Sequence, residues 1–111
     1  MSIAKSAMRG ITETLQDYAS DGDGRAVAIP SSFGQHQIIV QGFSVFVAGE
    51  VQPETALNVE STEWAPIGDP IVVPDGKVAL NFSGIYGAIR CPISTPIANG
   101  GECVVTYKGS P

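Results

Sequence analysis

The sequence predicts an all-β protein, an antiparallel, jelly-roll-like β-sandwich of about seven short strands. Charged residues make up only 15% of the 111 residues, and 13 glycines and 8 prolines accompany 43% hydrophobic residues. This composition is typical of short strands joined by many turns rather than of long helices. From residue 36 onward, β-rich runs alternate with turn-forming residues about every eight to twelve residues, which is the usual spacing in sandwiches and small barrels.

The first 34 residues differ from the rest and are predicted to form an N-terminal arm or linker, with a short helix or an extended chain as the alternatives for its first part. A short helix is indicated by apolar residues at spacings of four and three, namely Ala4, Met8, Ile11, Leu15 and Tyr18. Such a helix is marginal in water unless its apolar face packs on another surface. Turn-forming residues over 20–34 then predict a linker. The domain division is therefore 1–34 for the arm and 35–111 for the sandwich.

The first predicted strands of the sandwich occupy residues 36–41 and 43–49. Gly42 separates them, and a glycine inside a strand pattern predicts a bulge or a tight bend. Residues 55–61 alternate between apolar and polar side chains, which predicts a third strand with one face in the core.

The later strands follow a turn that holds the single tryptophan. Residues 70–73 form a short apolar run, and Pro-Asp-Gly at 74–76 predicts a tight turn into 77–82. In that strand Val78, Leu80 and Phe82 share one face. The last strands are predicted at 86–93 and 102–107. Every connection is too short for a helical crossover, so the strands are expected to pair antiparallel.

Two cysteines and one histidine are the residues most able to hold a metal ion or form a bridge. Cys91 and Cys103 are expected to be free thiols in a reducing compartment, although the loop between them is long enough for the strands to return antiparallel and bring them together. His36 has no His, Cys or acidic residue at metal-ligand spacing. The sequence therefore predicts no metal, no cofactor and a strand-edge or surface position for His36.

The charge distribution argues against nucleic acid as a partner. The net charge is −5, and residues 26–76 contain six acidic residues and no lysine or arginine. Binding to phosphates needs clustered Lys and Arg. No run of about 18 apolar residues occurs, and the N-terminus lacks the apolar core of a signal peptide. We therefore expect no membrane partner and synthesis in a cytoplasm.

Catalysis is not predicted either. The chain lacks the nucleophile elbow, the zinc-protease motif and the phosphate-binding loop, and it has one histidine to act as a general base. The acidic pair Glu60 and Glu63 lies in a turn, where such residues are ordinarily a solvated surface.

A pattern over residues 54–108 resembles a small β-sandwich that recurs in virion proteins of tailed bacteriophages. The matching residues are Ser61, Thr62, Glu63, Trp64, Ile67 and Gly68, then Gly84, Tyr86, Ile89 and Arg90, and finally Gly101, Val104 and Thr106. The sequence departs from this pattern at Pro92, which removes a backbone donor and predicts an edge or a bulge there.

The resemblance implies a structural virion component, most closely a head decoration (cement) protein on the capsid exterior. Its implied partners are the major capsid protein and copies of itself, as a homotrimer or another homo-oligomer, after synthesis in the host cytoplasm. Contacts with the capsid or with other subunits are assigned to Ile3, Met8, Ile11, Leu15, Val27, Ile29 and Arg90. The alternative is a tail-fibre or baseplate accessory module whose sandwich binds carbohydrate or a host surface.

Trp64 and Tyr86 are predicted to occupy turns that cap the core. The indole Nε1–H is expected to donate to a backbone carbonyl, with Pro66 and Ile67 packed beneath the ring. A role in stacking on a sugar or a partner stays open. Arg90 is expected to pair with Glu63 or Asp69, or to bridge to a neighbouring subunit.

Overall fold

The computed structural model describes residues 10–45 and 48–111, and this part of the chain contains eleven strands and no helix. The strands are β1 (Ile11–Ala19), β2 (Val27–Ala28), β3 (Gln35–Phe43), β4 (Glu50–Val51), β5 (Glu54–Ala56), β6 (Ala65–Pro66), β7 (Ile71–Val72), β8 (Lys77–Ser83), β9 (Ala88–Arg90), β10 (Ile93–Thr95) and β11 (Glu102–Ser110). Over those residues, nothing helical is long and apolar enough to cross a membrane.

The strands form three antiparallel sheets, which confirms the predicted all-β sandwich. The main sheet has the order β1-β11-β3-β8. The two smaller sheets have the orders β10-β4-β7 and β2-β9-β5-β6. Buried side chains from all three sheets belong to a single hydrophobic cluster, so the main sheet and the smaller sheets pack as two layers around one core.

The main sheet is organised by its two central strands, β3 and β11. They pair in continuous register over nine residue pairs, and alternate residues are buried in both strands. Ile38 and Val40 point into the core from β3, and Val105 and Tyr107 from β11, all four fully buried. The β-rich runs at 36–41 and 102–107 therefore predicted both strands correctly, and the structure shows which face of each is buried.

The segment predicted to be an arm is part of the sandwich over its described residues. β1 is a strand of the main sheet, so the helical prediction is wrong for Ile11–Ala19. Leu15 is only 1% exposed, and Val27 and Ile29 lie in the same core. Two register shifts in β1 turn the adjacent Leu15 and Gln16 both inward, which breaks the alternation that would have identified a strand.

Gln16 fixes the segment that follows β1 to the second layer. Its side chain is buried, and its Nε2 donates to the carbonyl oxygens of Gly22 and Cys91, both at 3.0 Å. A buried amide with both donors satisfied stabilises one arrangement of the surrounding backbone, because any other arrangement leaves a polar group unpaired.

Pro92 marks the point where the chain passes from one small sheet to the other. β9 ends at Arg90 in the sheet of β2, β5 and β6, and β10 begins at Ile93 as an edge strand of the sheet of β4 and β7. The predicted single strand over 86–93 is therefore two strands. Pro92, which has no backbone N–H, lies between these two strands, where no hydrogen bond to a neighbouring strand is needed.

Two other predicted strands have different bounds in the structure. β3 runs through Gly42 in regular register with β11 and ends at Phe43, so the bulge predicted at Gly42 is wrong. The backbone carbonyl of Pro74 approaches the Cα of Gly42 so closely that a Cβ would not fit, which explains the glycine. β5 ends at Ala56, and Leu57 is 89% exposed rather than buried in a strand.

Candidate functional site

An open groove of about 830 Å³ lies in the second layer, between the loop after β5 and the turn before β9. It is lined by Thr55, Ala56, Leu57, Ser61, Thr62, Glu63, Trp64, Ala65, Ile85, Tyr86 and Gly87. We call it the Trp64 groove. It brings together Trp64 and Tyr86, which the sequence had singled out separately.

The loop on one side of the groove is held by its own hydrogen bonds. The Asn58 side-chain oxygen accepts from the Glu60 N–H at 2.9 Å, and the Asn58 N–H donates to the Ser61 Oγ at 3.2 Å. The Ser61 N–H donates back to the Asn58 carbonyl at 3.2 Å. Asn and Ser side chains favour such turns because they can replace backbone partners. The segment predicted to continue β5 is therefore a hydrogen-bonded turn.

Trp64 is anchored by its polar end. Its Nε1–H donates to the Ser61 carbonyl at 2.8 Å, as predicted. The ring is half-buried, but Trp64 is not among the side chains that pack against the core, and Pro66 is exposed rather than beneath the ring. Tyr86 does pack against the core. Of the two residues predicted to cap the core, Tyr86 therefore contacts it, whereas Trp64 is placed mainly by its local hydrogen bond.

Arg90 covers part of the indole ring and is itself held by carboxylates. Its guanidinium carbon lies 4.4 Å from the ring centroid of Trp64, a cation–π contact. Its Nε donates to Glu54 Oε1 at 2.8 Å, and Asp23 lies 4.0 Å from the guanidinium. The predicted acidic partners were wrong, because Glu54 stands directly opposite Arg90 in the β5–β9 register.

The opposite wall of the groove consists of Ile85, Tyr86 and Gly87 and is largely apolar. Ile85 is 69% exposed, and Tyr86 donates its hydroxyl to the Ser83 carbonyl at 3.2 Å. A Cβ on Gly87 would collide with the Leu57 carbonyl, so the two walls meet at the floor through backbone contact. Glu63 is the one charged residue in the lining. This arrangement can bind a ligand, and it offers no paired groups for acid–base chemistry.

His36 does not line the groove but lies behind its wall residue Tyr86, and it is buried, so its predicted surface position is wrong. The ring stacks on Phe82 and meets the edge of Tyr86. Its Nε2 lies 2.8 Å from the Gly84 carbonyl and its Nδ1 lies 2.6 Å from the Tyr107 hydroxyl. A carbonyl can only accept, so Nε2 carries the proton and Nδ1 of the neutral ring accepts from Tyr107. Burial raises the pKa of Tyr107 to about 12.

Both cysteines are free and buried in the core. Burial raises the pKa of Cys103 to about 11. It also raises the pKa of Cys91 well above its usual range, and the nearby Cys103 and Glu54 add to this effect. Among the described residues, no three His, Cys, Asp or Glu side chains are placed to hold a metal ion together.

These pKa shifts predict a loss of stability in alkali. Unfolded thiols ionise near their ordinary pKa of 9.0, whereas Cys103 stays protonated to about 11 in the folded state. The stabilisation is therefore complete below about pH 9 and lost as pH rises through the folded pKa; two pKa units correspond to about 3 kcal/mol. Urea unfolding of the reduced protein at about pH 8 and about pH 10.5 measures the loss. The Cys103→Ala variant should lose less, and equal stability of the wild type at both values would contradict the prediction.

A second surface of the molecule is the outer side of the main sheet, which we call the outer sheet face. It consists of the residues that alternate with the buried ones or stand opposite them in register, namely Thr12, Thr14, Gln35, Gln37, Ile39, Gln41, Phe43, Lys77, Ala79, Asn81, Ser83, Glu102, Val104, Thr106, Lys108 and Ser110. Gln37 and Asn81 are joined across β3 and β8 by a 3.0 Å hydrogen bond. The face holds two lysines and one acidic residue, Glu102 at the start of β11, in a chain with 11 acidic and 6 basic residues.

The residues predicted to contact a capsid or another subunit are not gathered on one surface. Leu15, Val27 and Ile29 are buried in this chain's own core, and Ile11 is half-buried against it. Arg90 is engaged within the chain, as described above. Ile3 and Met8 lie outside the described residues. Leu15, Val27 and Ile29 were assigned to intermolecular contacts because they are apolar. Their packing within the chain's own core explains this apolar character.

No protein-family model matches the chain, and none of the curated proteins compared with it is similar in sequence. Solved structures do share its fold. The SPBc2 prophage-derived protein YomS is 11% identical, with a TM-score of 0.65 over 93% of this chain and 94% of that chain. A mutant of the family 29 carbohydrate-binding module CBM29-2 is 14% identical, with a TM-score of 0.50 over 92% and 91% of the two chains. At these identities the likeness establishes a common fold.

Proposed function

We propose that the protein is a structural component of a phage virion, a head decoration protein that binds the outer surface of the capsid. The observation that carries this proposal is the outer sheet face. The fold shared with a prophage-derived protein over almost the whole length of both chains is consistent with it. No catalysis is required for this role.

The outer sheet face suits attachment to another protein for an electrostatic reason. Its centre is occupied by Thr14, Ile39, Ala79 and Thr106, which are neighbours across the four strands. Covering this centre removes no charged group from water, because Lys77, Glu102 and Lys108 lie toward the ends of the strands. Desolvation of unpaired charge is a major cost of association, and this face avoids it.

The size of the face predicts weak binding by one copy. Four strands with the usual spacing and up to nine residues in length cover roughly 500 Å², below the roughly 800 Å² that each partner buries in a typical stable interface. A protein that decorates a shell is present in many copies, so contacts between neighbouring copies add to each contact with the major capsid protein. We therefore propose homo-oligomer formation, as a trimer or another assembly, on the capsid.

A negative charge placed on the outer sheet face should abolish attachment. Ala79 is exposed, so Ala79→Glu is expected to fold normally and to lose at least about tenfold in affinity for undecorated heads of the cognate phage, since the carboxylate is buried without a partner. Co-sedimentation with the heads measures this loss. The matched control is Val72→Glu, which adds the same charge at a 56% exposed strand position in the second layer.

Two results would contradict the proposal. Equal binding by Ala79→Glu and Val72→Glu would remove the outer sheet face as the attachment surface. Antibody labelling of virions at the tail rather than at the head would replace the decoration function by the alternative, a tail-fibre or baseplate accessory module.

A further inference from the structure

We propose that the Trp64 groove binds a carbohydrate, with a pyranose ring against the indole of Trp64 and its hydroxyl groups bound by Thr62 and Glu63. The groove lies in the second layer of the sandwich, whereas the outer sheet face belongs to the first. The proposed ligand site is therefore separate from the proposed attachment surface, and either function can fail without the other.

The aromatic ring of Trp64 is fixed in place before any ligand binds. The indole N–H is bound to the Ser61 carbonyl, and Arg90 lies over the ring while its own Nε is bound to Glu54. Arg90 is not part of the groove lining, so the guanidinium leaves the groove side of Trp64 uncovered. A rigid, half-exposed ring loses little conformational entropy on binding, which is the main advantage of a preorganised site.

The polar groups of the groove select an uncharged, hydroxyl-rich ligand. Glu63 supplies acceptors, and no lysine or arginine belongs to the lining, so an anionic ligand would meet repulsion. Within the described residues, the Thr62 and Glu63 side chains make no hydrogen bond of their own, unlike those of Asn58 and Ser61. A sugar ring combines an apolar C–H face for the indole with hydroxyls for these two side chains.

A peptide partner fits the groove less well. Proteins that capture an extended peptide usually do so by adding it to an exposed sheet edge. The edge strand at this groove is β6, which has only two residues, Ala65 and Pro66. Pro66 has no backbone N–H to offer, so the edge cannot form a ladder with an added strand.

The dimensions also suit a small ligand. The groove volume of about 830 Å³ lies within the range of roughly 300–1,000 Å³ typical of small-molecule sites. Leu57, Ile85 and Tyr86 on the two walls provide the apolar surface that a bound ligand would contact. A groove that is open rather than enclosed accommodates a unit within a longer glycan chain, because the flanking sugars remain in solvent.

Intrinsic fluorescence tests the proposal directly, because Trp64 is the only tryptophan in the chain. The purified full-length protein is titrated with disaccharides of glucose, galactose, mannose and N-acetylglucosamine in both α and β linkages. We expect a saturable change in tryptophan emission with at least one of them, with a dissociation constant on the order of 1 mM. Because the ligand is uncharged, the affinity should change little with salt.

Variants at the two polar side chains keep the fluorophore and identify the site. Glu63→Gln and Thr62→Ala should each weaken binding about three- to tenfold, as expected for the loss of one hydrogen bond to the ligand. Both residues are exposed, so their substitution should leave the melting curve unchanged. The control Val72→Ser removes an exposed apolar side chain outside the groove and should bind like the wild type.

Three results would overturn the proposal. The first is no saturable emission change with any of the sugars. The second is a change that Glu63→Gln and Thr62→Ala leave unaltered. The third is a response confined to an apolar peptide with no response to sugar, which would assign the groove to a protein partner. Co-sedimentation with phage heads is measured on the same variants, and unchanged head binding is expected because the outer sheet face is intact.

Discussion

Removal of residues 2–25 is expected to unfold the protein. The truncation deletes all of β1, which is an edge strand of the main sheet and covers one side of β11. It removes Leu15 from the core and the Gln16 amide that binds the Gly22 and Cys91 carbonyls. Together these losses are expected to exceed about 5 kcal/mol, which approaches the whole stability of a small domain.

Circular dichroism with thermal melting measures this effect, with point variants as controls. Leu15→Ala should cost about 3 kcal/mol, since it leaves a cavity in the core. Thr12→Ala, at an exposed position of the same strand, should change stability by less than about 0.5 kcal/mol. A truncated protein that still melts cooperatively near the wild-type temperature would show that the segment is a dispensable arm, as the sequence had suggested.

Substitution of Gly42 by alanine is expected to be strongly destabilising. A Cβ at this position would overlap the carbonyl oxygen of Pro74 and would lie close to the Val45 side chain. The Gly42 N–H also donates to the Gly76 carbonyl at 2.8 Å, so the 74–76 turn is held against β3. The backbone of the 74–76 turn must therefore move away from β3. We expect a loss of about 2–4 kcal/mol, as for other overpacked or strained positions.

Gly34→Ala is the matched control. No heavy atom lies within 4 Å of the site where its Cβ would be, and its φ is not positive. Alanine there should be neutral or stabilise the fold by up to about 1 kcal/mol, because it restricts the unfolded chain. Urea unfolding of both variants gives the comparison. Equal stability of the two would mean that Pro74 is not held against β3.

The sequence predicted the strands that alternate regularly. Residues 36–41 and 102–107 have one buried face, and period-2 alternation is a direct consequence of that packing. Residues 77–82 alternate as well, although β8 is an edge strand whose side chains are exposed or half-buried. β1 was missed because its register shifts turn two successive residues inward, so its pattern imitated a helix. The bulges depend on how β1 meets β11, and this contact is distant in the sequence.

The candidate site was predicted only in part for a similar reason. The hydrogen bond of Trp64 is local, spanning three residues to Ser61, and it was predicted correctly. The partner of Arg90 is Glu54, 36 residues away, and only the β5–β9 register brings them together. The clustering of Trp64 with Ile85 and Tyr86 likewise depends on the approach of two loops. No periodicity in the sequence reports such an approach.

The pairing order of the main sheet has a consequence for the synthesis of this protein. β11 (Glu102–Ser110) is a central strand that pairs with both β1 and β3, and Ile11 stands opposite Gly109. Until residues 102–110 have left the ribosome, β1 and β3 lack the strand that lies between them in the main sheet, and the core residues Leu15, Ile38 and Val40 lack the buried side chains of β11. Strands that are far apart in the sequence lose much chain entropy when they pair, because a long loop must close. Folding should therefore be slow for a chain of this size. We therefore expect the nascent chain to depend on chaperones until β11 emerges.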